Sequence, residues 1–291
     1  MIHTIKNSFL QVSAAEKGAQ LQSVRGADGT EYLWQGDSKY WPDRALNIFP
    51  YVARLTDGCY YLDGKRYSMD IHGIAPYRQF RLVENNGERM TLELASDPQT
   101  LLQYPREFVF RVIYALRDNV LEVTYEVRNR DEKTMYFGLG GHPGFNVPLT
   151  EGGKFEDYSL QFSPSCQPNR VCFSEDCFVT GQLLPYPLEA ENSLSLRHSL
   201  FDQDAIVLTD VSHQVTLAAK GDPHSVTVTY PGMDYLGLWH WPKTDAPYIC
   251  IEPWCSLPAR EDAVTVLEEQ DDLICLAPGK VYTNSWTIEV Q

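Results

Sequence analysis

Period-two alternation of apolar and polar residues dominates the chain. From Leu121 to Arg128, Leu121, Val123, Tyr125 and Val127 fall on one face, and Glu122, Thr124, Glu126 and Arg128 on the other. Successive side chains of a strand point to opposite sides, so this run predicts a strand with one face in a core. The pattern recurs at Met90–Leu94, Phe110–Tyr114, Ser225–Tyr230 and Ser285–Val290. Asp28-Gly29, Asp63-Gly64, Asn86-Gly87, Asp118-Asn119 and Gly221-Asp222-Pro223 punctuate these runs. Such pairs supply the positive φ angles of tight hairpin turns. Helical turns are expected only at 98–103, 199–202 and 261–269, and the β-branched Val264-Thr265-Val266 weakens the last. Many short strands, hairpin turns and few helices predict an all-β fold, an antiparallel sandwich or barrel. The chain shows no Gly/Ser or Pro linker and no fixed-period repeat, so one domain over 1–291 is expected.

Composition narrows the function. Basic residues number 24 and acidic residues 39, a formal charge of −15. Binding to phosphate backbones or anionic membranes needs basic patches, so neither a nucleic acid nor a membrane is an expected partner. No run approaches the roughly 18 apolar residues of a membrane helix. The first twenty residues have no basic stretch leading into an apolar one, so no secretory leader is expected. The seven cysteines are odd in number, sparse and free of any Cys-x-x-Cys pair. Reduced thiols in a cytoplasmic protein are expected rather than a disulfide framework or zinc knuckle.

Four segments set polar groups into apolar or Gly/Pro-rich surroundings: Asn47–Arg54, Asp70–Ala75, Phe137–Pro148 and Tyr248–Trp254. Glu252 sits among Ile249, Cys250, Ile251, Pro253 and Trp254. Poor hydration there would raise its pKa and suit it to general base work, unless alternation turns it to solvent. His142 lies between Gly138-Leu139-Gly140-Gly141 and Pro143-Gly144. It is either a rigidly placed proton donor or a turn histidine capping a carbonyl. His72, in Ile71-His72-Gly73-Ile74, reads as a core histidine or a site residue, and Arg54 as half of a buried ion pair or a ligand-binding guanidinium. His3, His198, His213, His224 and His240 read as surface or structural groups. Trp239, Trp241 and Trp254 are either core or platforms for a flat ligand.

Together these segments resemble the aldose 1-epimerases, the galactose mutarotase family, from about residue 5 to the C-terminus. The resemblance rests on Phe49-Pro50 through Arg54, His72-Gly73, Gly141-His142-Pro143 with Phe145, Phe201 to Leu208, Leu236-Gly237-Leu238-Trp239 and Cys250-Ile251-Glu252-Pro253-Trp254. It implies a large antiparallel β-supersandwich with a sugar cleft across one sheet. It implies Glu252 as general base at the C1 hydroxyl and His142 as general acid at the ring oxygen. It further implies substrate contacts from His72 and Arg54, and from Asp204 with Asp202 as near rival. No metal or other cofactor is implied. The expected partner is a small sugar, and the expected state is a monomer or homodimer. Pro76 departs from the pattern, because relatives often carry Arg four residues after the first histidine, whereas here Arg78 falls two residues late.

Three alternatives stay open. A hexose-6-phosphate 1-epimerase would need clustered cations, for which Arg54, Arg78 and Arg106 are candidates. A non-catalytic sugar-binding protein would use the tryptophans alone. A metal enzyme would use His72, His142 and Glu252 as two histidines and a carboxylate.

Overall fold

The computed structural model describes residues 1–291, with the side chain of Glu191 excepted. The alternating runs all form strands, and they assemble into two large antiparallel sheets. Nine strands form the first, in the order Ser193–Ser195, Tyr158–Phe162, Gln214–Ala219, Ser225–Thr229, Val281–Val290, Val120–Asn129, Phe108–Arg117, Arg89–Ala95 and Arg81–Asn85. Seven form the second, in the order Val179–Pro185, Asn169–Phe173, Ile206–Thr209, Tyr235–Trp239, Tyr248–Trp254, Gly140–Asn146 and Ala45–Ile48. This is the all-β, antiparallel architecture that alternation predicts, in the supersandwich form that the resemblance implies. Leu121, Val123, Tyr125 and Val127 are all fully buried, as their shared face requires. Each such side chain contributes about 1.5–3 kcal/mol by leaving water.

Turn chemistry sets the register. Asp63 and Gly64 adopt φ of 52° and 69° and place Leu62 opposite Lys65, a two-residue hairpin. Asp118 takes φ 51° between Arg117 and Val120, which pair directly. Helix is restricted to short turns, including Thr100–Gln103 and His198–Phe201. The third expected turn is corrected: only Leu267–Glu269 is helical within 261–269, because Thr265–Val266 pairs in parallel with Tyr60 and Tyr61. The β-branched residues there favour the extended partner over the helix. His240 takes the structural of its two readings: it is fully buried, its Nε2 3.2 Å from His198 Nδ1.

The pleat of the seven-stranded sheet separates core from cleft. Ile249, Ile251, Phe145, Leu236, Leu238, Ile206 and Leu208 pack into the main core with the nine-stranded sheet. The alternate residues Tyr248, Cys250, Trp254, Leu46, Ile48 and Val207 pack into smaller clusters on the opposite face. Both faces of Tyr248–Trp254 are therefore covered, which explains its nearly continuous apolar sequence. Asn47 is buried on the core side, where its Oδ1 accepts from Tyr125 Oη at 3.0 Å and its Nδ2 donates to Gly18 O at 3.0 Å. That polar bridge ties the two sheets together.

Candidate active site

Sheet register brings the acid and the base candidates together. Gly140 stands opposite Trp254 and Gly144 opposite Cys250, which sets His142 across from Glu252 on the cleft face. His142 Nε2 and Glu252 Oε2 are 3.3 Å apart. The approach is close but out of line for a hydrogen bond, and Glu252 Oε2 and His142 Nδ1 have no hydrogen-bond partner. Glu252 is 1 % exposed and His142 7 %, so Glu252 is no solvent-facing strand end. Gly237 faces Glu252 from the next strand, and a Cβ there would come within 2.9 Å of the Trp254 ring. The absent side chain leaves room for both groups.

Aromatic rings fix His142 in place. Trp41 stacks on it at 4.8 Å between centroids and 28° between planes. Trp239 meets it edge-on at 5.7 Å and His72 at 5.2 Å. His72 itself is held by a close fit between two of the segments singled out above. His72 N donates to Ala53 O at 2.9 Å, and Ala53 N donates to His72 Nδ1 at 3.3 Å. Since Nδ1 accepts, the ring proton resides on Nε2, which remains available as a donor. His72 and Gly73 take φ of 63° and 81°, which carry the chain tightly past Phe49.

Electrostatics divides the site groups. Burial, and then the nearby Asp204 carboxylate, push the Glu252 carboxyl well above the usual range, with the Trp254 side chain opposing. Burial, and then His72, hold His142 well below an ordinary imidazole. Burial and Arg54 hold His72 down at about 4. Desolvation is the leading cause in all three, because a charge loses most by leaving water.

One cleft of about 490 Å³ is lined by all five residues expected from the sequence: Arg54, His72, His142, Asp204 and Glu252. That volume suits a small ligand. Arg54 is exposed rather than buried in an ion pair, and its Nη1 donates to Asp176 O at 3.1 Å. Asp202 lies instead in a separate open hollow with Lys39, His198 and Lys243. Arg78 bonds Gln99 at 2.8 Å, and Arg106 pairs with Asp63 at 3.0 Å. Neither lines the cleft, where Arg54 is the one Lys or Arg among the described residues. Pro76 is the middle residue of a short turn, Ala75–Tyr77, whose Tyr77 lines the cleft and donates from Oη to Ile71 O at 3.0 Å. Trp239, Trp241 and Trp254 all line it too, with Trp241 45 % exposed.

Trp41, Asp43, Tyr77 and Cys177 also line the cleft and were not foreseen. Trp41 alone carried a signal, as an aromatic beside Pro42 in a non-alternating stretch. His142, Cys250 and Glu252, rather than the triad with His72, present ligand atoms within 4.8 Å of one another. A metal takes deprotonated thiolate and carboxylate. Burial raises both the Cys250 thiol and the Glu252 carboxyl above their usual ranges, so a metal would have to displace both protons.

Fold, cleft and family together define a carbohydrate isomerase built on an antiparallel β-sandwich. The chain belongs to the aldose 1-epimerase family, whose profile matches residues 1–289. It is 33 % identical to the plasmid-encoded protein LacX of Lactococcus lactis subsp. lactis, over 98 % of both chains. A galactose mutarotase related enzyme from Lactobacillus acidophilus superposes with TM-score 0.95 at 32 % identity, covering 100 % of this chain and 97 % of that one. A galactose mutarotase-like protein from Lactobacillus casei gives TM-score 0.94 at 32 % identity, with 100 % of both chains covered. Among the described residues, no helix is long and apolar enough to cross a membrane.

Proposed function

We propose that the protein interconverts the α and β anomers of a free hexose such as galactose or glucose by acid–base ring opening and reclosure. The observation that carries this reading is the pair of nearly fully buried groups, His142 Nε2 and Glu252 Oε2, 3.3 Å apart at the cleft floor. Glu252 takes the proton of the C1 hydroxyl as His142 gives one to the ring oxygen. The ring opens, the C1–C2 bond turns, and closure on the other carbonyl face reverses both transfers. The pair holds one proton throughout, on Glu252 or on His142, so each turnover returns the site to its starting state. The unpartnered Glu252 Oε2 and His142 Nδ1 support a ligand that supplies polar partners. His72 attends the ring-oxygen side, and Arg54 and Asp204 bind hydroxyls.

A neutral hexose is favoured over a hexose 6-phosphate by the charges of the cleft. Among the described residues, Asp43 and Asp204 face a single fixed cation, Arg54. A phosphate dianion binds best to clustered guanidinium and ammonium groups. Polarimetry on freshly dissolved α-D-galactose, α-D-glucose and glucose 6-phosphate tests this. The expected result is faster equilibration of the free sugars, with kcat/KM at least tenfold above that for the phosphate ester. A preference for the ester contradicts the neutral-sugar reading. Binding of the sugars without faster equilibration contradicts catalysis and leaves a sugar-binding protein.

A further inference from the structure

We propose that Cys177 is a positioning residue for substrate binding, its thiol donating a hydrogen bond that aims the Asp204 carboxylate into the cleft. The inference rests on the assignment of Asp204 to the sugar. Cys177 Sγ is 3.1 Å from Asp204 Oδ2, and Asp204 Oδ1 accepts from Ala205 N at 2.9 Å. The two residues belong to separate loops, each lining the cleft. The ladder between the flanking strands Asn169–Phe173 and Ile206–Thr209 ends at Arg170 and Leu208, short of both loops. Among the described residues no backbone hydrogen bond joins the two loops, and the thiol spans the gap.

The backbone makes this cysteine an unusual choice. Cys177 closes a turn through its N–H to Ser174 O at 3.0 Å and adopts φ 66°. That left-handed conformation suits Gly, Asn or Asp, so the turn itself does not call for a cysteine. Asp204 also takes φ 71°. Two residues in a rare conformation thus meet through their side chains. Arg54 braces the same turn through Asp176 O. Burial and the Asp204 charge raise the thiol to about 11, so it stays protonated and donates at neutral pH. Asp204 is in turn felt by Glu252, which places its charge over the reacting end of the cleft.

Cys177→Ala, Cys177→Ser and Asp204→Ala test the role, with D-galactose affinity read by tryptophan fluorescence and kcat and KM by polarimetry. A lost donor to a carboxylate is expected to raise Kd and KM about three- to tenfold, with kcat within about twofold. Cys177→Ser, which keeps a donor, is expected to restore both to within about twofold. Unchanged affinity in Cys177→Ala, or a serine variant no better than alanine, overturns the role. A weakened Asp204→Ala beside an unaffected Cys177→Ala sinks the thiol alone. Wild-type affinity in Asp204→Ala, or a wild type that binds no D-galactose, removes the assignment of Asp204 and the thiol's role with it.

Discussion

Glu252→Gln is expected to lower kcat for anomer interconversion by about 10²–10⁴-fold, the usual contribution of a general acid or base. Gln fills the same volume and keeps the contact with the Gly237 strand, so KM should move little. His142→Ala is expected to cause a loss of similar size, since one group without the other can only half-complete the transfer. The double variant should be no worse than about the weaker single one, because groups acting as a unit are not additive. Two full, multiplying losses would show that the residues act independently. Stability separates this from unfolding. The raised Glu252 pKa means its contribution to stability is full below the unfolded-state value of an ordinary carboxyl and is lost as pH rises through the folded value. At pH 8, therefore, Glu252→Gln should melt no lower than wild type.

Gly73→Ala is expected to be the most damaging small substitution near the site. A Cβ at Gly73 would lie 2.3 Å from Phe49 O, and the residue holds φ 81°. The same carbonyl accepts from Ile74 N at 2.8 Å and Ala75 N at 3.0 Å, so it cannot retreat without breaking both bonds. Strain plus displaced hydrogen bonds should cost about 3 kcal/mol or more. That corresponds to a fall of roughly 6 °C or more in Tm for a chain of this size. Movement of the neighbouring His72 should also raise KM. Gly87→Ala is the control: Gly87 has φ 98° but open space around it, so only backbone strain is incurred. Equal melting shifts for the two variants would refute the close packing of Gly73 on Phe49.

Alternation and turn chemistry made much of the fold legible. Val120–Asn129 and its neighbours follow from period two, and Asp63-Gly64 from its need for positive φ. The 261–269 segment was not legible, because its parallel pairing to Tyr60 and Tyr61 lies some 200 residues away in sequence. Glu252 and His142 stood out because each is ionisable within apolar or glycine-rich sequence. Their register, and hence their 3.3 Å approach, appears only once the strands pair. Asp43 and Cys177 join the cleft by tertiary folding of ordinary-looking loops, a placement that no local spacing encodes. Arg54 read either as half of a buried ion pair or as a ligand-binding guanidinium, and the first fails because Ala53 at φ 53° precedes it in a non-strand turn and the side chain is exposed.

The pH dependence of kcat/KM for α-D-galactose most directly tests the shared-proton pair. Below the His142 pKa a second proton leaves the pair without a base, so the rate falls as pH drops. Above the Glu252 pKa the only proton is gone, so the rate falls as pH rises. With His142 held well below 6.5, the profile is expected to reach its plateau below pH 6.5, and the raised Glu252 moves the alkaline limb well above 4.5. His72, Arg54, Asp204 and Cys250 surround the pair, and of these His72 titrates near 4, also below that plateau. An acid limb at or above 6.5, persisting in His72→Gln, would mean that His142 titrates as an ordinary solvated imidazole and would contradict a buried pair sharing one proton.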